Sequence, residues 1–185
     1  MALSSVVNGL KDVIVATIKG ASDISTALQG VVKEQVVGVV KNVGEVSTTT
    51  LETVSDVVEA AVVSTKDVGV SLIDAAKDSV SAAILAVSDT GGDVMMAARK
   101  AASGAVMGAS EVGGDLGAVA VSAVEGALDA AGSAGKSTSE AVKMAVGGAV
   151  EAADKIGGDA GKSVRNALTS AASLPKDVIE SALKG

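Results

Sequence analysis

Along residues 12–89 an acidic residue returns at every eleventh position: Asp12, Asp23, Glu34, Glu45, Asp56, Asp67, Asp78 and Asp89. Eleven residues make about three turns of α-helix at roughly 3.67 residues per turn, so one column of acids stays on one side of a helix with a slight right-handed drift. With each acid as position one of its row, an advance of ~98° per residue gathers positions one, four, five, eight and eleven into one sector. That sector holds nearly all the charges, and position eleven supplies Lys11, Lys33, Lys66, Lys77, Arg99, Lys143, Arg165 and Lys176. The other positions carry Val13, Ile14, Ile18, Val57, Val58, Val62, Leu72, Ile73, Ile84 and Val106. An apolar sector covering about half the circumference is wider than the seam of a dimeric coiled coil and has to face several helices, or lipid. The pattern predicts an all-α fold of long amphipathic helices, packed as a right-handed coiled coil, a helical bundle or a barrel. Residues 1–185 then form a single repeat domain.

A second period lies on the first. Position three alternates large with small through Val58, Gly69, Val80, Gly91, Ala102, Gly113, Val124, Gly135, Val146 and Gly157, which makes the true unit 22 residues. Position five keeps the same beat, with Asp93, Asp115, Ser137 and Asp159 alternating with Gly104, Gly126, Gly148 and Ser170. The Gly-Gly-Asp openings admit two readings. Glycine followed by Asp, or by Lys-Ser at 136–137, is a turn with a helix N-cap, cutting the second half into helices of roughly 18 residues. Alternatively the glycines lie inside continuous helix, where another backbone comes close, at ~1 kcal/mol each in helix propensity. Turns tolerate length drift and this register has none, which favours the second reading. On it the helix-packing residues are Gly69, Gly91, Gly113, Gly135 and Gly157 at the small sites, with Val58, Val80, Val124 and Val146 between them.

The halves differ in texture. Residues 1–90 are rich in Val, Ile and Thr, and 91–185 in Ala and Gly. β-Branched residues are moderately poor helix formers, so a β-solenoid competes for the first half; strict two-residue alternation is absent there, which favours helix. Chain reversals are expected at 88–93, 132–139 and 173–176, the last with Ser173 as a cap and Pro175 in the first turn of a short C-terminal helix.

Composition narrows the chemistry. The chain has no Phe, Tyr, Trp, His or Cys, and a net charge of −7. A core must therefore be built from thin side chains with backbones close together. Disulfides, thiolate or imidazole metal sites and the usual catalytic triads are excluded. Without a basic stripe or stacking rings, nucleic acid is not an expected partner. The N-terminus lacks a basic segment followed by an uninterrupted apolar run, and no charge-free stretch nears the ~18–20 residues of a membrane-spanning helix, so neither signal peptide nor single-pass anchor is expected.

Carboxylates four apart, Asp74 with Asp78 and Glu125 with Asp129, share a helix face, but a solvated polar stripe paired with Lys and Arg accounts for them. Glu180–Lys184, Lys136–Glu140 and Glu151–Lys155 have the spacing of ordinary i,i+4 pairs. Gly161-Lys162-Ser163 and Gly135-Lys136-Ser137 end like a phosphate-binding loop, yet Ile156 and Ala130 stand where its first glycine is required. Met96, Met107 and Met144 fall in the polar columns, which, with Leu85 and Val121, marks that stripe as partly buried around 85–121. No catalytic, cofactor or metal-binding residue is assigned.

Tandem elevens paired into 22-residue units resemble the amphipathic-helix repeat proteins: exchangeable apolipoproteins, perilipins, synucleins and group 3 late-embryogenesis proteins. The resemblance is one of pattern over the whole chain. It also extends to right-handed coiled coils built on eleven-residue repeats. The first likeness implies lipid-surface binding; the second implies helices that pair with copies of themselves. Val, Ala and Gly bring little apolar area to a lipid interface but let backbones pack closely, which favours the second. The expected function is a non-enzymatic structural protein that self-associates into a homo-oligomeric bundle, barrel or filament. The alternative is an amphipathic-helix coat on a membrane, droplet or storage granule.

Overall fold

A computed structural model describes residues 2–43 and 48–185. The chain forms α1 (Ala2–Ile18), α2 (Ile24–Val43), α3 (Thr48–Val63), α4 (Thr65–Val68), α5 (Leu72–Asp89), α6 (Val94–Glu111), α7 (Leu116–Ser133), α8 (Thr138–Ile156), α9 (Gly158–Ser170) and α10 (Lys176–Lys184). The described residues contain no strand, so the β-solenoid is set aside. Short α4 continues the unit begun by α3. The hydroxyls of Ser64 and Thr65 bond back to the carbonyls of Ala61 and Val62 at 2.7 and 2.8 Å, the kind of side-chain competition that bends a helix.

From α5 to α8 the helices are cut every 22 residues, which corrects the expectation of continuous helix. Thr90, Val112 and Ala134 end α5, α6 and α7, and the next residues, Gly91, Gly113 and Gly135, have φ of 74°, 69° and 66°. Each turn closes with the same two bonds. Gly92 N–H donates to the Val87 carbonyl at 2.9 Å and Gly91 N–H to Ser88 at 3.0 Å; Gly114 and Lys136 repeat the longer-range bond at 2.8 and 2.9 Å. This is the Schellman arrangement, which needs a left-handed residue and so selects glycine. Two residues later a side chain caps the next helix. Asp93 accepts from Met95 and Met96 N–H, Asp115 from Ala118 and Ser137 from Glu140. Helix end, left-handed glycine and N-cap thus occupy fixed places in the 22-residue unit.

Two departures from the beat have local causes. Helix α2 starts at Ile24, four residues before the repeat would place it, because Asp23 accepts from Thr26 N–H at 3.1 Å while Ala27, at the cap position of the register, has no side-chain acceptor. At 157–159 the Gly-Gly-Asp triplet makes no left-handed turn: Gly157 is extended, α9 begins at Gly158, and Asp159 lies in its first turn. Here Asp154 stands where the other turns have Ser88, Ser110 and Gly132, and its two oxygens take both Arg165 guanidinium nitrogens at 2.8 and 2.7 Å across the turn. Of the expected reversals, 88–93 and 132–139 are turns. At 173–176 it is Pro175, not Ser173, that occupies the cap of α10, without a side-chain bond.

Consecutive units run antiparallel, so the chain zigzags between two layers. One layer holds α1, α3, α6, α8 and α10 side by side; the other holds α2, α5, α7 and α9. The apolar sector of each helix is covered by its layer neighbours and by the opposite layer. One buried cluster runs from Val7 and Ile14 through Val58, Val80, Val124 and Val146 to Leu168 and Ile179. The requirement for several neighbouring helices is met within one chain. Nothing in the fold requires the right-handed coiled coil.

Candidate functional site

Close approach between layer neighbours rests on glycines other than those expected. A Cβ built on Gly104, Gly126 or Gly148 would lie 2.2, 2.5 or 2.0 Å from the backbone carbonyl oxygen of Ser55, Lys77 or Arg99, each 49 residues earlier. No side chain fits there. By contrast nothing lies within 4 Å of a Cβ on Gly69, Gly91, Gly113, Gly135 or Gly157. The five glycines assigned to packing are therefore corrected: four hold left-handed turns and Gly157 an extended link. Val58, Val80, Val124 and Val146 are buried in the core. In each unit, position three visits the turn and then the core, and position five visits the N-cap and then the tight contact. Both beats were visible in the sequence; which glycine served which purpose was not.

The charged columns meet across layer neighbours as a ladder. Lys11 pairs with Asp67 at 3.0 Å, Lys33 with Asp89 at 2.6 Å, Lys77 with Asp129 at 3.1 Å and Glu125 at 3.9 Å, and Arg99 with Glu151 at 2.7 Å. The carboxylates four apart at 125 and 129 thus share one lysine rather than forming an acid–base pair. Glu151 also takes Lys155 at 3.0 Å, and these two cations hold its carboxyl below the usual range, Arg99 contributing most. Lys184 and Glu180 pair at 3.7 Å, whereas Lys136 and Glu140 do not meet. Such exposed pairs contribute roughly 0–1 kcal/mol each and mainly fix register.

The rung is missing at two steps, between α7 and α9, where Val121 takes the place of the basic residue, and between α3 and α6. Between α3 and α6, Ser55 stands where Lys77 and Arg99 stand in later steps, and Ser103 and Met107 stand where Glu125 and Asp129 stand. The vacated space is part of a cleft of about 290 Å³ lined by Glu52, Asp56 and Glu59 of α3, Arg99 and Lys100 of α6, and Lys155 of α8. Glu59 faces Glu111; burial, then that carboxylate, pushes the Glu59 carboxyl up to about 8. Asp56 is also raised, first by burial and then by Glu52.

The two ends of the layers differ. On α9 and α10 the exposed side chains are polar, among them Asp159, Lys162, Asn166, Lys176, Glu180 and Lys184. On α1, Val6, Gly9, Val13, Ala16 and Thr17 lie exposed along one side. Val13 is 46% exposed, while Val57, Ala101 and Ala145, at the same place in later helices of its layer, are 0% exposed. The residues that receive the preceding helix elsewhere in the layer have nothing in front of them in α1.

These features define an all-α helical repeat of antiparallel units in two layers. The chain matches no protein-family model. No curated protein matches it. Among solved structures it is similar to the crystal structure of a de novo designed helical repeat protein, at 18% identity over 82% of this chain and 95% of that one, with a TM-score of 0.36. A likeness at that level carries no weight for function. Among the described residues no helix is long and apolar enough to cross a membrane, and no group of three or more acidic side chains is placed to hold a metal ion.

Proposed function

We propose that this is a non-enzymatic structural protein that self-associates, and that the contact is between the α1 ends of two copies. The observation that carries the reading is the 46% exposure of Val13, whose counterparts Val57, Ala101 and Ala145 in later helices of the layer are 0% exposed, with Val6 near it at 48%. Terminal units of stacked helical repeats need a polar outer face to stay apart in water. Helices α9 and α10 have one and α1 does not.

A second copy is the occupant favoured by charge. Asp12 and Lys19 flank the exposed stripe, and neither has an ion-pair partner among the described residues. Two α1 helices laid antiparallel about Ala16 bring Asp12 of each copy beside Lys19 of the other. The polar α9–α10 end offers no matching apolar face for head-to-tail stacking. Like ends meeting about a two-fold axis give a closed dimer rather than a filament.

Sedimentation equilibrium over a concentration series tests this, with Val13→Lys as the comparison. The expected result is a reversible dimer of the 17.7 kDa chain that becomes monomeric in the variant, with helicity unchanged. A monomer at all concentrations, or a dimer indifferent to Val13→Lys, would refute it. The lipid-coat reading has less support, because it needs the apolar sector to leave helix partners that already cover it.

A further inference from the structure

The cleft at the missing α3–α6 rung is a second feature, independent of the α1 end. Its emptiness has a definite cause in the sequence. At the steps from α5 to α7 and from α6 to α8, a long basic side chain crosses to carboxylates on the next helix and fills the space over the tight glycine contact. At the step from α3 to α6, both the donor and its two acceptors are replaced, by Ser55, Ser103 and Met107. Short side chains leave the space open, while the Gly104 contact on the Ser55 carbonyl keeps the helices as close as at the other steps.

The walls of the opening carry opposite charge and do not reach each other. On the α3 side Glu52 and Asp56 stand without any cationic partner among the described residues, and the two repel one another. On the other side Lys100 is half-buried with no ion pair, and Lys155 is tied to Glu151, which also neutralises Arg99. Met107 supplies an apolar, deformable lining between the walls. A single anion or cation would satisfy one wall and face repulsion or nothing at the other. A molecule bearing both charges on a short carbon chain matches the two together. The volume, about 290 Å³, lies at the small end of ligand pockets and suits something of amino-acid to dipeptide size.

We propose that this cleft binds a small zwitterion, its ammonium group against Glu52 and Asp56 and its carboxylate against Lys100 and Lys155. An amino acid and a dipeptide share that chemistry and differ in the separation of their charges. Binding restores the charge pairing that the α5–α7 and α6–α8 steps obtain from their own side chains, and no covalent step is involved. The Glu59–Glu111 pair lies at the far end of the same acidic wall.

The test is a nuclear magnetic resonance titration of the full chain with L-alanine, L-alanyl-L-alanine, and the same dipeptide blocked as N-acetyl, as C-terminal amide, and at both ends. The expected result is a saturable shift of amides in 52–59 and 99–107 with an unblocked probe. Whichever of alanine and dipeptide binds more tightly identifies the charge separation. Blocking either end should weaken binding at least tenfold, and so should Lys100→Gln or Asp56→Asn. Lys100 is half-exposed and outside the buried cluster, so Lys100→Gln keeps the fold should Asp56→Asn not. No saturable shift with either unblocked probe, equal binding of a singly blocked dipeptide, or indifference to Lys100→Gln would overturn the proposal. A wild-type monomer in sedimentation would refute α1 pairing and leave this result standing.

Discussion

The steps from α1 to α3 and from α3 to α6 join the same kind of element by different means. Where α3 faces α1, Ala60 occupies the place that Gly104 holds in α6, and the surrounding core is Val7, Ile14, Ile18, Val54 and Val57. Where α6 faces α3, glycine removes the last carbon and the core is Ala97, Ala98, Ala101, Ala102 and Ala105. The first half fills wide gaps with branched side chains; the second draws backbones together until thin side chains suffice. The change in texture near residue 90 is therefore a change in packing distance within one architecture. Burial of ~25 cal/mol per Å² favours the larger side chains, whereas close approach compensates with dense van der Waals contact and Cα–H to carbonyl contacts.

Glycine substitutions break this comparison most strongly. Gly148→Ala places a carbon 2.0 Å from the Arg99 carbonyl oxygen, so α8 must shift away from α6. Overpacking of this kind costs about 3 kcal/mol, more than the ~1 kcal/mol that alanine gains in helix propensity, and chemical denaturation should read a net loss. Gly113→Ala meets no neighbour, but its φ of 69° lies in the left-handed region, and a loss of about 1–2 kcal/mol is expected with α6 and α7 otherwise intact. In α2 the sign reverses. Gly30 is exposed within helix and nothing lies within 4 Å of a Cβ, so Gly30→Ala should stabilise by about 1 kcal/mol. Equal effects of Gly30→Ala and Gly148→Ala would remove the distinction between wide and close steps.

The subtlest effect concerns pH. Glu59 has a folded-state value of about 8, above its ordinary 4.5, so the folded chain binds a proton that the unfolded chain releases. Its contribution to stability is complete below the ordinary carboxylate range and is lost as pH rises from there through about 8. Glu59→Gln should flatten that decline between pH 5 and 9 and change little at pH 4 to 5, as followed by melting temperature. Asp154, whose carboxyl is lowered chiefly by the Arg165 hydrogen bonds, acts oppositely, its contribution fading as pH falls below the ordinary carboxylate range.

Much of this was legible in the residues. The 22-residue unit, the polar and apolar sectors and the buried valines follow from spacing and residue type, whereas the caps at Asp93, Asp115 and Ser137 belonged to the reading that the unbroken register disfavoured. The roles of the glycines were not separable, because a missing Cβ serves a left-handed turn and a tight contact equally well. Gly113 and Gly104 differ only in which neighbours surround them. The fold-back itself depends on pairing residues 49 apart, and a helical period repeats the same face whether or not the helix is cut. At 157–159 the triplet that makes turns at 91–93 and 113–115 does not do so, since Asp154 and Arg165 meet across it.

Zero-length carbodiimide cross-linking, read by mass spectrometry at low protein concentration, tests the fold-back most directly. It joins lysines to carboxylates in direct contact, and the folded chain places Lys11 with Asp67, Lys33 with Asp89, and Lys77 with Asp129 at 3.0, 2.6 and 3.1 Å. The expected products are these three links, formed within single chains when isotopically light and heavy protein are mixed. Links confined to neighbours four apart, such as Glu151 with Lys155 and Glu180 with Lys184, or the three long-range links appearing only between light and heavy chains, would contradict it.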